Sequence, residues 1–279
     1  MTERVRIINR ADRLDVGFFT AAAHIIRELY ACRDHILTNF RQDFRNLSHG
    51  TVFGVAWNVI LPLVPVLIYA MLSLHRIVPT FEDVDPATYV AVGVTIWLLL
   101  AGCIQQPVNI VRARNAEVMK TALPLSAMVA SGFAQILFDT GVRILLVAIF
   151  MIVTATQIGW TALLIPVVLL PAIMMALGLG LILGVANVIY ADVGRVTAIA
   201  VQYGIFLSGV IFPIDILPMS AILRWNPAYV FIEETRELLF HSASINPWLI
   251  VGYAVFGIAV FLFGCRIFYL MEYRVRGIA

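Results

Sequence analysis

The chain holds a single lysine, Lys120, and Met119 stands before it. A phosphate-binding loop of the form Gly-x-x-x-x-Gly-Lys-Ser/Thr needs glycine at that place, because its backbone wraps the phosphates while the lysine reaches their outer oxygens. No such loop is present, so any ATP-driven work must be powered by another subunit. Charge of either sign is scarce: 13% of the 279 residues are charged and 61% are hydrophobic, with a mean hydropathy of +0.93. Soluble domains run at about 25% charged and about 45–50% apolar, which excludes a water-soluble enzyme. The three cysteines, Cys32, Cys103 and Cys265, are far apart. They supply no disulfide framework and no paired metal-ligand spacing, and read as small buried hydrophobes. The histidines His24, His35, His49, His75 and His241 are scattered, and neither HExxH nor GxSxG occurs. No catalytic residue, metal site or nucleic-acid partner is therefore expected.

What is present is a set of long apolar runs. About 20 such residues in a helix cross a hydrocarbon core of roughly 30 Å, and runs of that kind occupy approximately 52–74, 88–110, 124–154, 160–186, 196–217 and 247–270. They are continuous and rich in Leu, Ile, Val and Ala, unlike the short alternating strands of a barrel. The expected fold is an all-α polytopic membrane protein of six transmembrane helices. Residues 1–50 form an N-terminal segment and 51–279 the transmembrane domain. That first segment has no cleavable secretory pattern, so the first span is expected to act as an uncleaved insertion signal. With the N-terminus cytoplasmic, fifteen Lys and Arg residues fall on the cytoplasmic side and three, Arg76, Arg224 and Arg236, on the other. The bias of basic residues toward the cytoplasmic loops puts both termini inside.

Between the spans, Ile25, Leu29, Cys32, Ile36, Phe40, Phe44 and Leu47 recur at steps of three and four, a helical stripe. An amphipathic helix before a first span lies along the membrane interface or packs on a cytoplasmic partner. The loop 111–123 has helix-forming composition and ends before Pro124; a solvated loop and a docking helix both fit it. Residues 213–246 are too apolar for a solvated loop and read as a re-entrant pair of short helices on the outer side. Within span three, Gln135, Asp139 and Arg143 share one helical face. Intramembrane charges pair or line a pathway, and here either reading stands. Span four carries Gly180 and Gly184 as GxxxG, which permits close helix approach. Pro166 and Pro171 in span four, like Pro62 and Pro65 in span one, are expected to bend their helices.

Several of these segments together resemble the ABC-2 type permeases that export polysaccharides such as O-antigen, capsule and teichoic acid. His49 to Trp57 is similar to the family's entry motif before the first span. Asn115 to Lys120 with Leu123-Pro124-Leu125 looks like its cytoplasmic loop, and Asn187 to Gly194 resembles its Asn-x-x-x-Arg-Asp stretch. Ser208 to Pro213, Asn226-Pro227 and Glu233-x-x-Arg236 resemble its outer segment. Ala191 stands where many members have arginine, Leu47 where a basic residue is common, and Gly209 where proline is frequent.

The resemblance implies an inner-membrane half-transporter. Two copies of the chain form the pathway for a lipid-linked polysaccharide. Two separate ABC ATPase subunits bind ATP and Mg, and this chain binds no cofactor itself. Residues 111–123 become the coupling helix, with Arg112, Arg114, Asn115, Glu117 and Lys120 as contacts. The N-terminal helix becomes an interface helix among membrane lipids. Gln135, Asp139, Arg143, Tyr203 and Phe206 line the pathway. Trp225 and Tyr229 are further aromatic candidates for it, and all four aromatics are equally expected as interface anchors. Ser208, Pro213, Asn226, Pro227, Glu233 and Arg236 shape the re-entrant outer segment. The alternatives are an ABC-2 exporter of lipid or drug, a polytopic enzyme of lipid-linked sugar assembly, and an interaction scaffold.

Overall fold

The computed structural model describes residues 16–48, 84–114, 124–211, 214, 220–243 and 246–277, with isolated positions between 56 and 71; of 43–48, 114 and 273–277 it describes the backbone alone. The described residues form α1 (Phe18–Ala31), α2 (Arg33–Ser48), α3 (Pro86–Arg114), α4 (Leu125–Val153), a 3-10 turn Trp160–Leu164, α5 (Ile165–Ile189), α6 (Asp192–Gly204) with a 3-10 turn Ile205–Leu207, α7 (Ser220–Leu223), α8 (Pro227–Arg236) ending in a π turn Glu237–His241, and α9 (Pro247–Gly277). No strand occurs among them. Four helical stretches, Pro86–Ala113, Leu125–Val153, Trp160–Ile189 and Pro247–Glu272, are long and apolar enough to cross a membrane. They match the second, third, fourth and sixth runs. The first run lies largely outside the described residues. The fifth is shorter than the hydropathy suggests, because the chain leaves the helix after Leu207 and Gly209 takes a left-handed conformation (φ +63°).

Helix α3 is the centre of the bundle. Its apolar stretch is 83% buried, against 17% for α4, 22% for α5 with its leading turn, and 17% for α9. A helix apolar on every side is buried on every side, and α3 packs against α4, α5, α6 and α8. Helix α5 is held between α3 and α9 by glycines. A Cβ on Gly180 would stand 2.6 Å from the Cys103 carbonyl oxygen, and one on Gly184 3.0 Å from that of Pro107. On the other flank, a Cβ on Gly178 would strike the Phe261 backbone, and one on Gly257 the Pro171 carbonyl. In lipid no hydrophobic force draws helices together, so close backbone contact supplies the attraction. The GxxxG of α5 thus meets α3. Pro171 lies inside α5, but Pro166 sits in its first turn, where a missing N–H costs nothing.

The N-terminal stripe forms two helices rather than one, parted at Cys32. Ile25 is buried and Leu29, Cys32, Ile36 and Phe40 are half-buried, at the expected spacing. That face covers the protein's own helices: α1 packs on α9 and α4, and α2 on α4. Phe18 meets Phe263 at 6.3 Å, His24 stacks on Tyr269 at 5.6 Å, and Phe40 meets Phe138 edge-on at 6.1 Å. The opposite face carries exposed Phe19, Ile26, Tyr30 and Leu37.

Candidate functional site

The bundle has an arginine end and a tryptophan end. At the arginine end, α3 and α4 lead into and out of the expected coupling segment. Arg112, in the last turn of α3, points outward yet its Nη1 donates to Asn187 Oδ1 (3.3 Å) and to the Asn187 carbonyl (3.4 Å). Asn187, 3% exposed in the last turn of α5, donates from Nδ2 to the Val108 carbonyl (3.2 Å) and accepts from the Gly194 N–H (2.9 Å). Arg195 pairs with Asp192 at 3.3 Å on the surface of α6. On the other side of the segment, Pro124 begins α4 without a side-chain cap of its own. Glu272 of α9 supplies one: its Oε1 accepts from the Leu125 N–H at 2.7 Å. Ser126 Oγ donates to Glu28 of α1 at 2.8 Å. Carboxylates suit a helix N-terminus because its first N–H groups lack intrahelical partners and carry partial positive charge. The Arg114 side chain and Asn115, Glu117 and Lys120 lie outside the described residues.

Along α4, Gln135 Nε2 donates to Asp139 Oδ1 at 2.9 Å, which links two of the three residues of the expected face. Arg143, one turn further, is half-buried and borders a cavity of about 250 Å³ lined by Leu63, Ala91, Val94, Thr95, Val147 and Phe150. Tyr203 on α6 and Phe206 in the 3-10 turn after it are 57% and 47% exposed, in line with Val196 and Ile199. They are turned away from the crevice of about 380 Å³ that Gly204, Leu207 and Ser208 help line with Trp97, Met175 and Phe256. α4 and α6 each pack on α3 and make no extensive contact with one another. Among the described residues, the polar row of α4 and the aromatic row of α6 are therefore not joined within one chain.

The tryptophan end is organised by Arg236, a residue 1% exposed. Its Nη1 donates to the Gly209 carbonyl (2.8 Å) and Glu233 Oε2 (3.0 Å), and its Nη2 to the carbonyls of Val210 (2.9 Å) and Tyr89 (3.1 Å). The guanidinium lies 3.5 Å from the Tyr89 ring centroid, and the Tyr89 hydroxyl donates to Glu233 at 3.1 Å. Asn226-Pro227 starts α8 as cap and first residue: Asn226 Oδ1 accepts from the Ala228 N–H at 3.0 Å, while its Nδ2 donates to Leu207 O and Ser208 Oγ, both at 3.1 Å. Asparagine before proline is a favoured helix start. The π turn frees carbonyls that Gly159 N–H and Thr161 Oγ1 satisfy, at Leu239 (2.7 Å) and Leu238 (2.8 Å). Tyr253 donates to the Trp225 carbonyl at 2.7 Å, and Trp160, Trp225 and Trp248 are exposed around this end. Ser208, Asn226, Pro227, Glu233 and Arg236 thus converge on the break after α6; Pro213 lies outside the described residues. Tyr89, Asn187 and Glu272 complete these clusters; of the three, only Asn187 is marked in the sequence, as the first residue of the Asn187–Gly194 stretch.

Two polar clusters at opposite ends of a bundle with four membrane-length apolar helices define a multi-pass membrane protein. The family model of the ABC-2 type transporter matches residues 34–240, well over half of the chain, and the chain belongs to that family. Such a domain is the transmembrane component of an ABC transporter rather than its ATPase, and it implies an ABC ATPase partner. No curated protein matches the chain.

Proposed function

We propose that the chain is the permease of an exporter that carries a lipid-linked cell-surface polysaccharide across the inner membrane, working as a homodimer with two ABC ATPase subunits. The arginine end faces the cytoplasm in this reading, and both termini lie there. The observation that carries the ATPase-facing assignment is the pair of anchored stems around residues 115–123. At 1.5 Å per residue, 29-residue helices such as α3 and α4 reach about 44 Å, beyond a core of roughly 30 Å. Exposed Trp160, Trp225 and Trp248 suit the outer interface, where amphipathic aromatics collect. The surplus length then projects at the arginine end, where it can meet a soluble partner through Arg112, Arg114, Asn115, Glu117 and Lys120.

For the cargo, the exposed row of Val196, Ile199, Tyr203 and Phe206 offers aromatic faces to a sugar chain, and Gln135, Asp139 and Arg143 offer hydrogen bonds. In a dimer of two copies, rows that one chain keeps apart can face a common pathway. The first span, and α6 with the stretch following it, complete six spans, and α7 and α8 form the re-entrant outer segment around the exit. The 380 Å³ crevice, lined almost wholly by apolar side chains, favours a second reading, export of a lipid. Reconstitution with the partner ATPase separates the two. An undecaprenyl-linked glycan should stimulate ATP hydrolysis and reach the lumen of inverted vesicles, while the unglycosylated lipid should do neither. Equal transport of the bare lipid would sink the polysaccharide reading.

A further inference from the structure

We propose that Asn187 is the positioning residue through which movement of segment 115–123 reaches α6; this rests on the reading of that segment as the ATPase-docking loop. One amide ties three helices. Its Oδ1 accepts from Arg112 of α3 and from the Gly194 N–H in the first turn of α6, and its Nδ2 donates to the Val108 carbonyl of α3. A Cβ on residue 194 would stand 2.7 Å from that Oδ1, so only glycine there leaves the amide in place. The side chain is 3% exposed, and a buried amide whose donor and acceptor are both engaged is costly to strip of partners.

What gives the contact mechanical weight is how little of α6 is buried. Among its residues only Thr197 is buried. Its other polar contacts are local: Thr197 Oγ1 donates to Val193 O and Arg195 pairs with Asp192. The near end of α6 is therefore fixed by hydrogen bonding to the α3–α5 stem in addition to its packing on α3 and α5. The α4 side of the same segment is anchored elsewhere, to Glu272 of α9 and Glu28 of α1. A load on 115–123 divides accordingly: the α3 branch reaches α6 through Asn187, and the α4 branch reaches α9 and α1. The exposed row of Tyr203 and Phe206 would follow the first branch.

The test uses the full chain with its ATPase in nanodiscs, Cys32 replaced by serine, and spin labels at Val196→Cys on α6 and Val255→Cys on α9, both exposed. Adding Mg·ATP with vanadate should shift the 196–255 distance in the parent chain. Asn187→Ala and, independently, Gly194→Ala should abolish the shift while ATPase co-purification and ATP hydrolysis persist. Glu272→Ala loosens the same end of the bundle on the other branch and should keep the shift, which separates coupling from loss of folding. If Asn187→Ala retains the shift, or Glu272→Ala loses it equally, the coupling role is overturned while the permease reading stands. If the parent chain fails to associate with the ATPase, the permease reading fails and the coupling role falls with it.

Discussion

Arg236 shows how one ion can organise an end of the bundle. Its guanidinium is shared among three backbone carbonyls, the Glu233 carboxylate and the Tyr89 ring. Guanidinium suits this place because it presents a planar, fixed set of five donors and is weakly hydrated; an ammonium has three donors for the four oxygens bonded here. Replacing Arg236 by Met removes those donors and leaves Glu233 with the Tyr89 hydroxyl. Breaking a buried pair from one side costs about 3–5 kcal/mol, so Arg236→Met is expected to lower the unfolding midpoint strongly in nanodiscs. Adding Glu233→Gln should recover part of the loss, because the two residues share one network. Equal stability of Arg236→Met and the parent would disprove the anchoring role. The position of Glu233-x-x-Arg236 was legible in the sequence. Its partners were not, since Tyr89 is 147 residues away from Arg236 and the Gly209 and Val210 carbonyls carry no side-chain mark.

At the scale of elements, α5 decides the packing because it has almost no side chain where it touches its neighbours. Gly180→Ala would push a methyl against the Cys103 and Ile104 backbones, which cannot rotate away as side chains do. Overpacking of this kind costs typically about 1–3 kcal/mol. Gly252→Ala on α9 meets nothing within 4 Å and is expected to be silent in the same thermal assay. A silent Gly180→Ala would mean that α3 and α5 are not in backbone contact. Helix existence was readable from apolar length, and the GxxxG predicted close approach. Which helix it approached needed the fold, because α4, α5 and α9 all present apolar faces. The break of the N-terminal stripe at Cys32 had no proline or glycine to announce it. Beyond α6 and its 3-10 turn the chain bends at Gly209, where the positive φ excludes proline, whose ring holds φ near −65°.

For the molecule as a whole, the two ends have different chemistry, and that difference predicts topology. Single cysteines at Ile222 and Trp248, both exposed at the tryptophan end, should react with a membrane-impermeant thiol reagent in intact cells. Cysteines at Ala113 and Val196, at the arginine end, should react only after permeabilisation. The reverse pattern would invert the orientation read from the distribution of Lys and Arg.

Apolar length and the sparing use of charge determined by themselves that this chain lives in a membrane, because a helix must bury its backbone polar groups internally and twenty apolar residues suffice to cross. The single lysine settled that no phosphate-binding loop lies within it. Tertiary structure alone decided what the few polar groups do. Asn187, Glu272 and Arg236 act on backbone atoms of distant helices, and a backbone carbonyl or N–H looks the same at every position of a sequence until folding leaves one of them without a partner.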